Sequence, residues 1–403
     1  MDIHQTAVQA KAAAIALAAV KTEVKNQALA QIAAALEKNR AEIVAANRAD
    51  LQRSEKEKLA DPVGEILTAT ELDEGLELYK VSCPIGVIGV IFESRPDALV
   101  QISALCLKSG NAVLLKGGSE AAETNRILAA VIHDAGVNAG IPKGWLSLLE
   151  TRADVADMLR MDKHIDLIIP RGGNEFVRHI MDNTNIPVMG HADGICHVYI
   201  DSKADANMAV RIAVDSKTQY VAVCNAAETI LVHKEIAPTV LPLLKTAMEA
   251  KGVEIRGCEQ TRKVIDAKAA TEQDWRTEYL DLIVSVKMVD SLDEAVEHIN
   301  CYGSGHTDAI VTEDRSRGLR FMDYVDSADV FLNCSTRFSD GFRFGLGAEV
   351  GISTGKIHAR GPVGLEGLVI YKWRMFGNGH IVSDYAGSQA KSFTHRRLEK
   401  KSL

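Results

Sequence analysis

The stretch Val87-Ile88-Gly89-Val90-Ile91-Phe92 is β-branched or aromatic apart from its glycine, and Ala112-Val113-Leu114-Leu115-Lys116 repeats its apolar character. Runs of this kind are typical of strands that are buried on both faces of a parallel sheet. Between them, residues 98–108 have a helical composition and Gly110-Asn111 marks a turn. The order strand, helix, strand predicts a βαβ unit with a right-handed crossover, and therefore an α/β fold.

The same alternation of strands and helices continues along the chain. Residues 5–60 are predicted to be helical, partly from apolar residues at i, i+3, i+4 and i+7. The alternation runs to residue 188 and restarts at 198, which indicates two α/β units with a boundary near 190–215. Further strands are predicted at 145–149, 167–169, 186–188, 198–200, 228–232, 280–286, 309–311 and 330–332, and further helices at 122–134, 153–160, 174–181, 204–216, 243–251, 291–299 and 315–325.

Length, charge and cysteine content limit the class of protein. The 403 residues, 47% hydrophobic and 25% charged, suffice to bury the cores of roughly two or three domains. A net charge of -8 disfavours a nucleic-acid binder, and the longest apolar run, residues 12–20, is too short to span a membrane. None of the seven cysteines forms a CxxC pair, so we predict neither a zinc site nor a disulfide framework. The absence of a disulfide pattern fits a reducing compartment, so we predict a cytoplasmic location.

Cys224 is the first candidate for chemistry. It lies in Tyr220-Val221-Ala222-Val223-Cys224-Asn225-Ala226-Ala227-Glu228, between a predicted helix that ends near Ser216 and a predicted strand that starts near Glu228. Small neighbours and a junction between elements allow backbone N–H groups to point at a reacting atom. Two interpretations stay open on this pattern alone, a nucleophile or an inert buried thiol. We interpret the other six cysteines as buried packing residues.

Lys116-Gly117-Gly118-Ser119-Glu120 forms a second candidate site. A strand delivers a lysine, two glycines permit close backbone approach, and a helix begins directly afterwards. That arrangement suits a phosphate or a ribose. The motif is neither a Walker A loop nor a complete G-x-G-x-x-G, so a simple βα turn is an equally good interpretation.

Three further segments follow the same chain order as these two motifs. They are Gly190-His191-Ala192-Asp193-Gly194, Glu278-Tyr279-Leu280-Asp281 and Gly361-Pro362-Val363-Gly364-Leu365-Glu366-Gly367-Leu368. Taken in this order, the five resemble the aldehyde dehydrogenase superfamily.

Three segments are more specific. They are Pro84-Ile85-Gly86-Val87-Ile88-Gly89-Val90-Ile91-Phe92-Glu93-Ser94-Arg95-Pro96, Lys116-Gly117-Gly118-Ser119-Glu120-Ala121 and Gly355-Lys356-Ile357-His358-Ala359-Arg360-Gly361-Pro362. Through them the chain closely resembles one branch of the superfamily, the acyl-phosphate reductases of proline biosynthesis, over nearly its whole length.

The resemblance implies three regions. They are a Rossmann-type cofactor domain at 1–200, which includes part of an oligomerisation hairpin near 76–86, a catalytic domain at 201–367, and a C-terminal return and oligomerisation segment at 368–403. It also implies an NADPH-dependent oxidoreductase that converts L-glutamyl 5-phosphate to glutamate 5-semialdehyde through a cysteine thioester. A homo-oligomer and functional coupling to glutamate 5-kinase follow from the same resemblance, without nucleic acid, membrane or metal.

Residue roles are carried over position by position. Cys224 corresponds to the nucleophile that forms the thioester. The substrate carries a phosphate and an α-carboxylate, so arginines are expected to bind it. The cofactor-binding positions implied are Lys116, Gly118, Ser119 and Glu278. The substrate-binding positions are Ser94, Arg95, Arg337 and Arg360, with Arg171 as a further arginine candidate.

Three positions depart from the hydrolytic members of the superfamily. Their general-base glutamate corresponds to His191, and the absence of that carboxylate fits an enzyme whose thioester must not be hydrolysed. Their oxyanion asparagine corresponds to Ser94, which leaves Asn225 as a substitute. A glutamate common in NAD-preferring relatives corresponds to Ser119, which can donate to a 2′-phosphate and therefore favours NADPH.

Three alternative functions differ from this interpretation in their requirements. A CoA-acylating aldehyde dehydrogenase of the same fold also lacks the base, and its acyl acceptor would distinguish it. A non-catalytic binding protein needs none of Cys224, Lys116 and Glu278. A cysteine hydrolase would need a histidine base near Cys224, and would be active without reduced cofactor.

Overall fold

The computed structural model describes residues 3–38, 61–92, 96–191 and 193–400. The helices are α1 (Ile3–Leu17), α2 (Thr22–Lys38), α3 (Pro96–Lys108), α4 (Ala122–Asn138), α5 (Arg152–Met158), α6 (Asn174–Asp182), α7 (Ala206–Thr218), α8 (Ala237–Glu249), α9 (Glu259–Val264), α10 (Leu292–Tyr302) and α11 (Arg315–Tyr324). The strands are β1 (Ile66–Asp73), β2 (Leu76–Pro84), β3 (Val87–Phe92), β4 (Ala112–Lys116), β5 (Leu146–Leu148), β6 (Leu167–Arg171), β7 (Cys196–Ile200), β8 (Ala227–His233), β9 (Glu254–Gly257), β10 (Lys268–Ala269), β11 (Ile283–Val289), β12 (Thr307–Val311), β13 (Asp329–Leu332), β14 (Gly351–Ser353), β15 (Gly361–Val363), β16 (Val369–Phe376) and β17 (Arg396–Arg397).

The first sheet is parallel and has the strand order β5-β4-β3-β6. Helices α2, α3 and α4 contribute to the core on one face, around Trp145, and α1 contributes to the core on the other face. Because parallel strands end at the same edge, Lys116 at the end of β4 and Arg171 at the end of β6 lie along one edge of this sheet. Strands β3 and β4 pair in parallel and α3 lies between them in the chain, so the predicted βαβ unit is confirmed.

The second sheet is also parallel, in the order β10-β9-β11-β8-β7-β12-β13. Helices α7 and α8 pack on one face, and residues of α10 and α11 pack on the other. The α/β class with parallel sheets is confirmed. Strand β7 lies inside this second sheet, so the division between the two sheets falls before Cys196, within the range of 190–215 that the sequence pattern indicated and a few residues before the bound of 200 that the resemblance implied. The three-region division stays a prediction.

A third, antiparallel sheet has the order β16-β2-β1-β17 and joins the 66–84 hairpin to the C-terminal part of the chain. It includes the segment near 76–86 that the sequence assigned to an oligomerisation hairpin. Strand β16 pairs with β2 of the same chain along its whole length. Among the described residues, no helix combines the length and the apolar character needed to cross a membrane.

Several predicted element bounds were wrong. The helical stretch predicted for 5–60 is broken between Leu17 and Thr22, and its part at 39–60 lies outside the described residues. Residues 186–188 contribute an isolated bridge from Val188 to Ile168 and not a strand. The strand predicted from 280 begins at Ile283, because Leu280 has a φ of 52° and interrupts the extended backbone.

Candidate active site

Cys224 lies in the loop that joins the end of α7 to the start of β8. Its side chain is half-buried, and its carbonyl oxygen accepts a hydrogen bond from the buried thiol of Cys196 at 3.2 Å. The loop leaves the carboxyl-terminal end of a helix and enters a fully buried strand, so the backbone around the thiol is held from both sides. A cysteine in this setting is positioned and still accessible, as a nucleophile requires.

His306 is the partner of the Cys224 thiol. Its Nε2 lies 3.1 Å from Cys224 Sγ, and its Nδ1 lies 2.8 Å from Thr307 Oγ1. Thr307 Oγ1 in turn donates to the carboxylate of Asp329 at 3.5 Å, so the hydroxyl accepts from Nδ1–H. This hydrogen-bond chain assigns the lone pair of the neutral ring to Nε2, which faces the sulfur. The nucleophile Cys224, the base His306 and the orienting groups Thr307 and Asp329 thus form one chain of contacts.

Burial sets the protonation state of this pair. Desolvation, followed by the carboxylates of Glu278 and Glu349, raises the pKa of the Cys224 thiol to about 12. Burial, with the neighbouring ring of His191 second, lowers the pKa of His306. Both shifts favour the uncharged pair of thiol and imidazole. The ligand-free site therefore holds a neutral thiol whose proton is already aimed at a base.

The raised thiol pKa gives a measurable pH dependence of alkylation. Only the thiolate reacts, so the rate of Cys224 modification by iodoacetamide should rise roughly tenfold per pH unit below the thiol pKa. An ordinary cysteine stops accelerating soon above about pH 8.5, whereas Cys224 should still accelerate at about pH 10. Peptide-level mass spectrometry measures both rates, with Cys301 as the internal reference. The prediction that Cys301 is a buried packing residue was wrong, because its side chain is exposed. A plateau of the Cys224 rate below pH 9 would contradict the shift.

Glu278 reaches the same site from the loop before β11. Its Oε2 accepts a hydrogen bond from Asn174 Nδ2 at 2.5 Å. Gly194 lies between Glu278 and Cys224, and a Cβ there would fall on the Cys224 backbone and lie 2.6 Å from Glu278 Oε1. The predicted nucleophile Cys224 and the predicted cofactor-binding residue Glu278 are thus brought together around one glycine. Their roles stay predictions.

Of the two positions linked to the oxyanion, Asn225 and Ser94, the structure describes only Asn225. Asn225 is buried, its Nδ2 donates to the Ser339 carbonyl at 2.6 Å, and its backbone carbonyl accepts from Thr336 Oγ1 at 2.7 Å. One of its two amide protons is therefore already used to hold the 335–339 segment. The catalytic role of Asn225 stays a prediction. Ser94 and Arg95 lie outside the described residues.

Two of the predicted substrate arginines can be distinguished by their partners. Arg337 is buried near the thiol, and its Nε donates to Gln219 Oε1 at 2.9 Å. No acceptor within the described ranges binds its two terminal nitrogens, and burial lowers its pKa. All three guanidinium nitrogens of Arg360, by contrast, already donate hydrogen bonds. Nε donates to the Thr354 carbonyl at 3.1 Å, and the two terminal nitrogens donate to the carboxylate and the carbonyl of Asp326 at 3.2 and 3.1 Å. Substrate binding by either arginine stays a prediction, and the geometry favours Arg337.

The predicted cofactor turn follows β4 at the edge of the first sheet. Lys116 is half-buried and its Nζ donates to the Gly117 carbonyl, whereas Ser119 is exposed at the start of a short 3₁₀ turn. Buried Asn125 lies where a Cβ on Gly117 would be, and its Oδ1 has no hydrogen-bond partner in the described part of the chain. A buried acceptor without a donor, beside two glycines, fits a polar ligand such as a ribose.

His191 lies on the third side of the thiol. Its ring is 5.0 Å from the His306 ring, edge to face, and its Nδ1 binds the Ile352 carbonyl at 3.0 Å. A ring nitrogen of His191 lies within 4.8 Å of both Cys224 Sγ and a His306 nitrogen. The position that corresponds to the hydrolytic base therefore does face the sulfur, with an imidazole in place of a carboxylate.

Sequence reasoning missed His306, Thr307 and Asp329. The signal available was a histidine between a Gly-Ser-Gly turn and a strand, but the strand was predicted to start at 309, and it begins at Thr307. A histidine beside the thiol also meets the structural requirement stated for a cysteine hydrolase. The contact between His306 and the thiol is thus compatible with both a cysteine hydrolase and a dehydrogenase that forms a thioester.

Comparisons with known proteins identify the class. The family model described as "Aldehyde dehydrogenase family" matches residues 1–270, so the chain belongs to the aldehyde dehydrogenase family. An acetylating aldehyde dehydrogenase from Geobacillus thermoglucosidasius has the same fold, with a TM-score of 0.64 at 19% identity over 94% of this chain and 97% of that one.

Within this family the chain belongs to the gamma-glutamyl phosphate reductases. The enzyme of that name from Pelotomaculum thermopropionicum is 65% identical over 99% of this chain and 98% of its own length, and that from Acetivibrio thermocellus is 63% identical over 99% of both. The crystal structure of the Thermotoga maritima gamma-glutamyl phosphate reductase has a TM-score of 0.89 at 40% identity, over 94% of this chain and all of that one. The resemblance stated from the sequence is confirmed.

Proposed function

We propose that the chain reduces L-glutamyl 5-phosphate to glutamate 5-semialdehyde with NADPH, through a thioester on Cys224. The observation that carries the proposal is the 65% identity to a gamma-glutamyl phosphate reductase, in a chain whose half-buried thiol lies 3.1 Å from His306. A scaffold protein has no need of this pair. A cysteine hydrolase is disfavoured by family membership. The acetylating aldehyde dehydrogenase and the Clostridium phytofermentans propionaldehyde dehydrogenase have only the fold in common with this chain, at 19% and 16% identity.

The cofactor would be held by the turn after β4 and by Glu278. Lys116 and Asn125 supply a donor and a buried acceptor beside Gly117 and Gly118, where backbone can approach a ribose closely. When bound, the nicotinamide cofactor supplies the hydride that takes the thioester to the aldehyde level. The residues of the chain position the acyl group and move protons.

The first half of the reaction makes the thioester. As Cys224 Sγ attacks the acyl carbon, its proton passes to His306 Nε2, and Nδ1–H keeps its bond to Thr307. The bond between the acyl carbon and the phosphate oxygen breaks, and phosphate leaves with a proton from solvent. Transfer concerted with attack avoids a free thiolate, which the burial of the site disfavours.

The second half regenerates the thiol. After reduction, the tetrahedral oxyanion collapses, the carbon–sulfur bond breaks and the aldehyde leaves. The sulfur then takes its proton back from His306, so the pair returns to its neutral form. No carboxylate occupies the position of His191, where a hydrolytic relative places its base, so the thioester is kept for reduction rather than hydrolysed.

Arg337 is the proposed anion ligand for the substrate. It is buried near the thiol and has terminal nitrogens without acceptors in the described part of the chain, as a bidentate contact to phosphate or carboxylate requires. Arg360 holds Asp326 next to Gly305, directly before His306, and so would act by positioning that loop.

Ser119→Glu is expected to shift cofactor preference from NADPH toward NADH. A carboxylate within about 5 Å would repel the 2′-phosphate, and it can accept from the ribose hydroxyls of NADH. A tenfold change in the ratio of kcat/KM corresponds to only about 1.4 kcal/mol, so a partly solvated contact suffices. Ser119→Gln is the control, because it has the same size without the charge. An unchanged ratio, or the same shift in both variants, would contradict a charge effect at this position.

The acyl acceptor tests the proposed function. Glutamate 5-semialdehyde and NADP should give reduced cofactor when phosphate is present, and NADP should be preferred to NAD. Replacing phosphate by CoA should give little or no reduction. Turnover that requires CoA, or that proceeds equally well in water alone, would assign a CoA-acylating or a hydrolytic dehydrogenase instead.

We also propose a homo-oligomer and keep the predicted coupling to glutamate 5-kinase and the cytoplasmic location. Support for the oligomer comes from β16, which presents exposed Tyr371, Trp373 and Met375. Its edge opposite β2 has no partner strand within the described ranges. Such an edge is suited to pairing with another chain.

A further inference from the structure

Three metal-ligating side chains from three separate parts of the chain meet at the thiol. One ligand atom from each of Cys224, His191 and His306 lies within 4.8 Å of the other two. A tetrahedral zinc ion, with Zn–S near 2.3 Å and Zn–N near 2.0–2.1 Å, spaces its ligand atoms by roughly 3.3–3.6 Å. Small side-chain rotations therefore suffice to bring these atoms to the spacing of a metal site.

Both imidazoles have Nδ1 bonded to an oxygen, which leaves Nε2 for a metal. Nδ1 of His191 donates to the Ile352 carbonyl, and Nδ1 of His306 donates to Thr307 Oγ1. The lone pair of each neutral ring is therefore on Nε2. Metal-binding histidines are commonly fixed in this way, by a hydrogen bond from the other ring nitrogen to oxygen.

The charges around the cluster also favour a cation. Among the described residues, the carboxylates of Glu278 and Glu349 both influence the Cys224 sulfur more strongly than the guanidinium of Arg337 does. Cys224 and His191 are half-buried and His306 is buried, so the cluster opens to solvent on the side of the thiol and His191. A divalent ion can therefore enter and be held away from bulk water.

We propose that Cys224 Sγ, His191 Nε2 and His306 Nε2 form a site for a thiophilic divalent cation, Zn²⁺ above all, with water in the fourth position. Binding releases the thiol proton to solvent and forms one zinc–sulfur and two zinc–nitrogen bonds. The softness of the thiolate and the two imidazoles selects Zn²⁺ over Mg²⁺ or Ca²⁺. The occupied site blocks the sulfur, so the ion acts as a reversible inhibitor and protects the thiol from oxidation.

Direct metal binding by the full chain tests this site. Metal-free protein is titrated with Zn²⁺ against a chromophoric chelator, and Co²⁺ is added separately, since a cobalt–thiolate bond gives an absorption band. We expect one tight site with a cobalt–thiolate band. We expect both to be lost in Cys224→Ser, and Zn²⁺ binding to weaken by about tenfold to a hundredfold or more in His191→Gln.

The controls remove a cysteine and a histidine that lie elsewhere. Cys301→Ala and His179→Gln, both at exposed positions, should bind Zn²⁺ as tightly as the unmodified chain. His191 is half-buried, so its variant tests the site even if replacement of the buried His306 prevents folding. Equal affinity in the unmodified chain, Cys224→Ser and His191→Gln would overturn the proposal. This readout is binding, so its failure leaves the proposed reaction untouched.

Discussion

Cys224→Ala is expected to reduce turnover to below about 1% while leaving cofactor binding largely intact. The thiol makes the covalent bond to the acyl carbon, and removal of a nucleophile costs orders of magnitude in kcat. The ribose contacts proposed for Lys116 and Asn125 do not involve the sulfur. The measurements are kcat in a steady-state assay and the Kd of NADPH by fluorescence titration.

Two other cysteines are matched controls for this variant. Cys301→Ala changes an exposed residue and should alter stability by no more than about 0.5 kcal/mol. Cys106→Ala changes a fully buried residue and should cost about 1–2 kcal/mol, with kcat retained. If Cys224→Ala kept more than a few per cent of the activity in a clean preparation, the thioester mechanism would be wrong.

Gly194→Ala is expected to lower kcat by about a hundredfold or more. The added Cβ would fall on the Cys224 backbone and lie 2.6 Å from Glu278 Oε1, so the loop that carries the thiol must move. A displacement of about 1 Å at the reacting atoms can cost a hundredfold in rate. Steady-state kinetics give kcat, and circular dichroism verifies that the chain is folded.

Gly173→Ala is the control for the glycine substitution. Gly173 precedes α6 with a φ of -62°, and a Cβ there would have no neighbour within 4 Å. This variant should keep the kcat of the unmodified chain. Equal kcat in both variants would mean that Gly194 does not hold Cys224 and Glu278 in their working positions.

The sequence predicts the parallel sheets well, because their strands are long apolar runs between helices with a clear period. Strand β9 and helix α9 were not predicted, since both are short and interleaved with charged residues such as Glu254 and Lys263. The start of β11 was predicted too early because Leu280 has a left-handed backbone conformation. Leucine rarely adopts this conformation, so the sequence does not indicate it. Local composition determines these elements less than their packing does.

The site could be predicted only in part. Cys224, Lys116 and Glu278 lie in recognisable segments, but His306 is 82 residues from Cys224 along the chain. The two meet because β8, β7 and β12 are parallel neighbours, so the residues before β8 and before β12 lie at the same edge of the sheet. The sequence gives no reason to prefer Arg337 over Arg360 as a substrate ligand, whereas their hydrogen-bond partners in the structure do. The cluster of Cys224, His191 and His306 has no metal-ligand spacing along the chain, which explains why no metal site was predicted.

Trapping the acyl-enzyme tests the central claim most directly. Glutamate 5-semialdehyde and NADP are added without phosphate, and the protein is analysed by intact-mass and peptide mass spectrometry. A glutamyl adduct on Cys224 should accumulate to about one per chain, resist water, and disappear on addition of phosphate, as expected for a thioester whose acceptor is phosphate. Cys224→Ala should show no adduct. Formation of reduced cofactor with no adduct at Cys224, or rapid loss of the adduct without phosphate, would contradict the account.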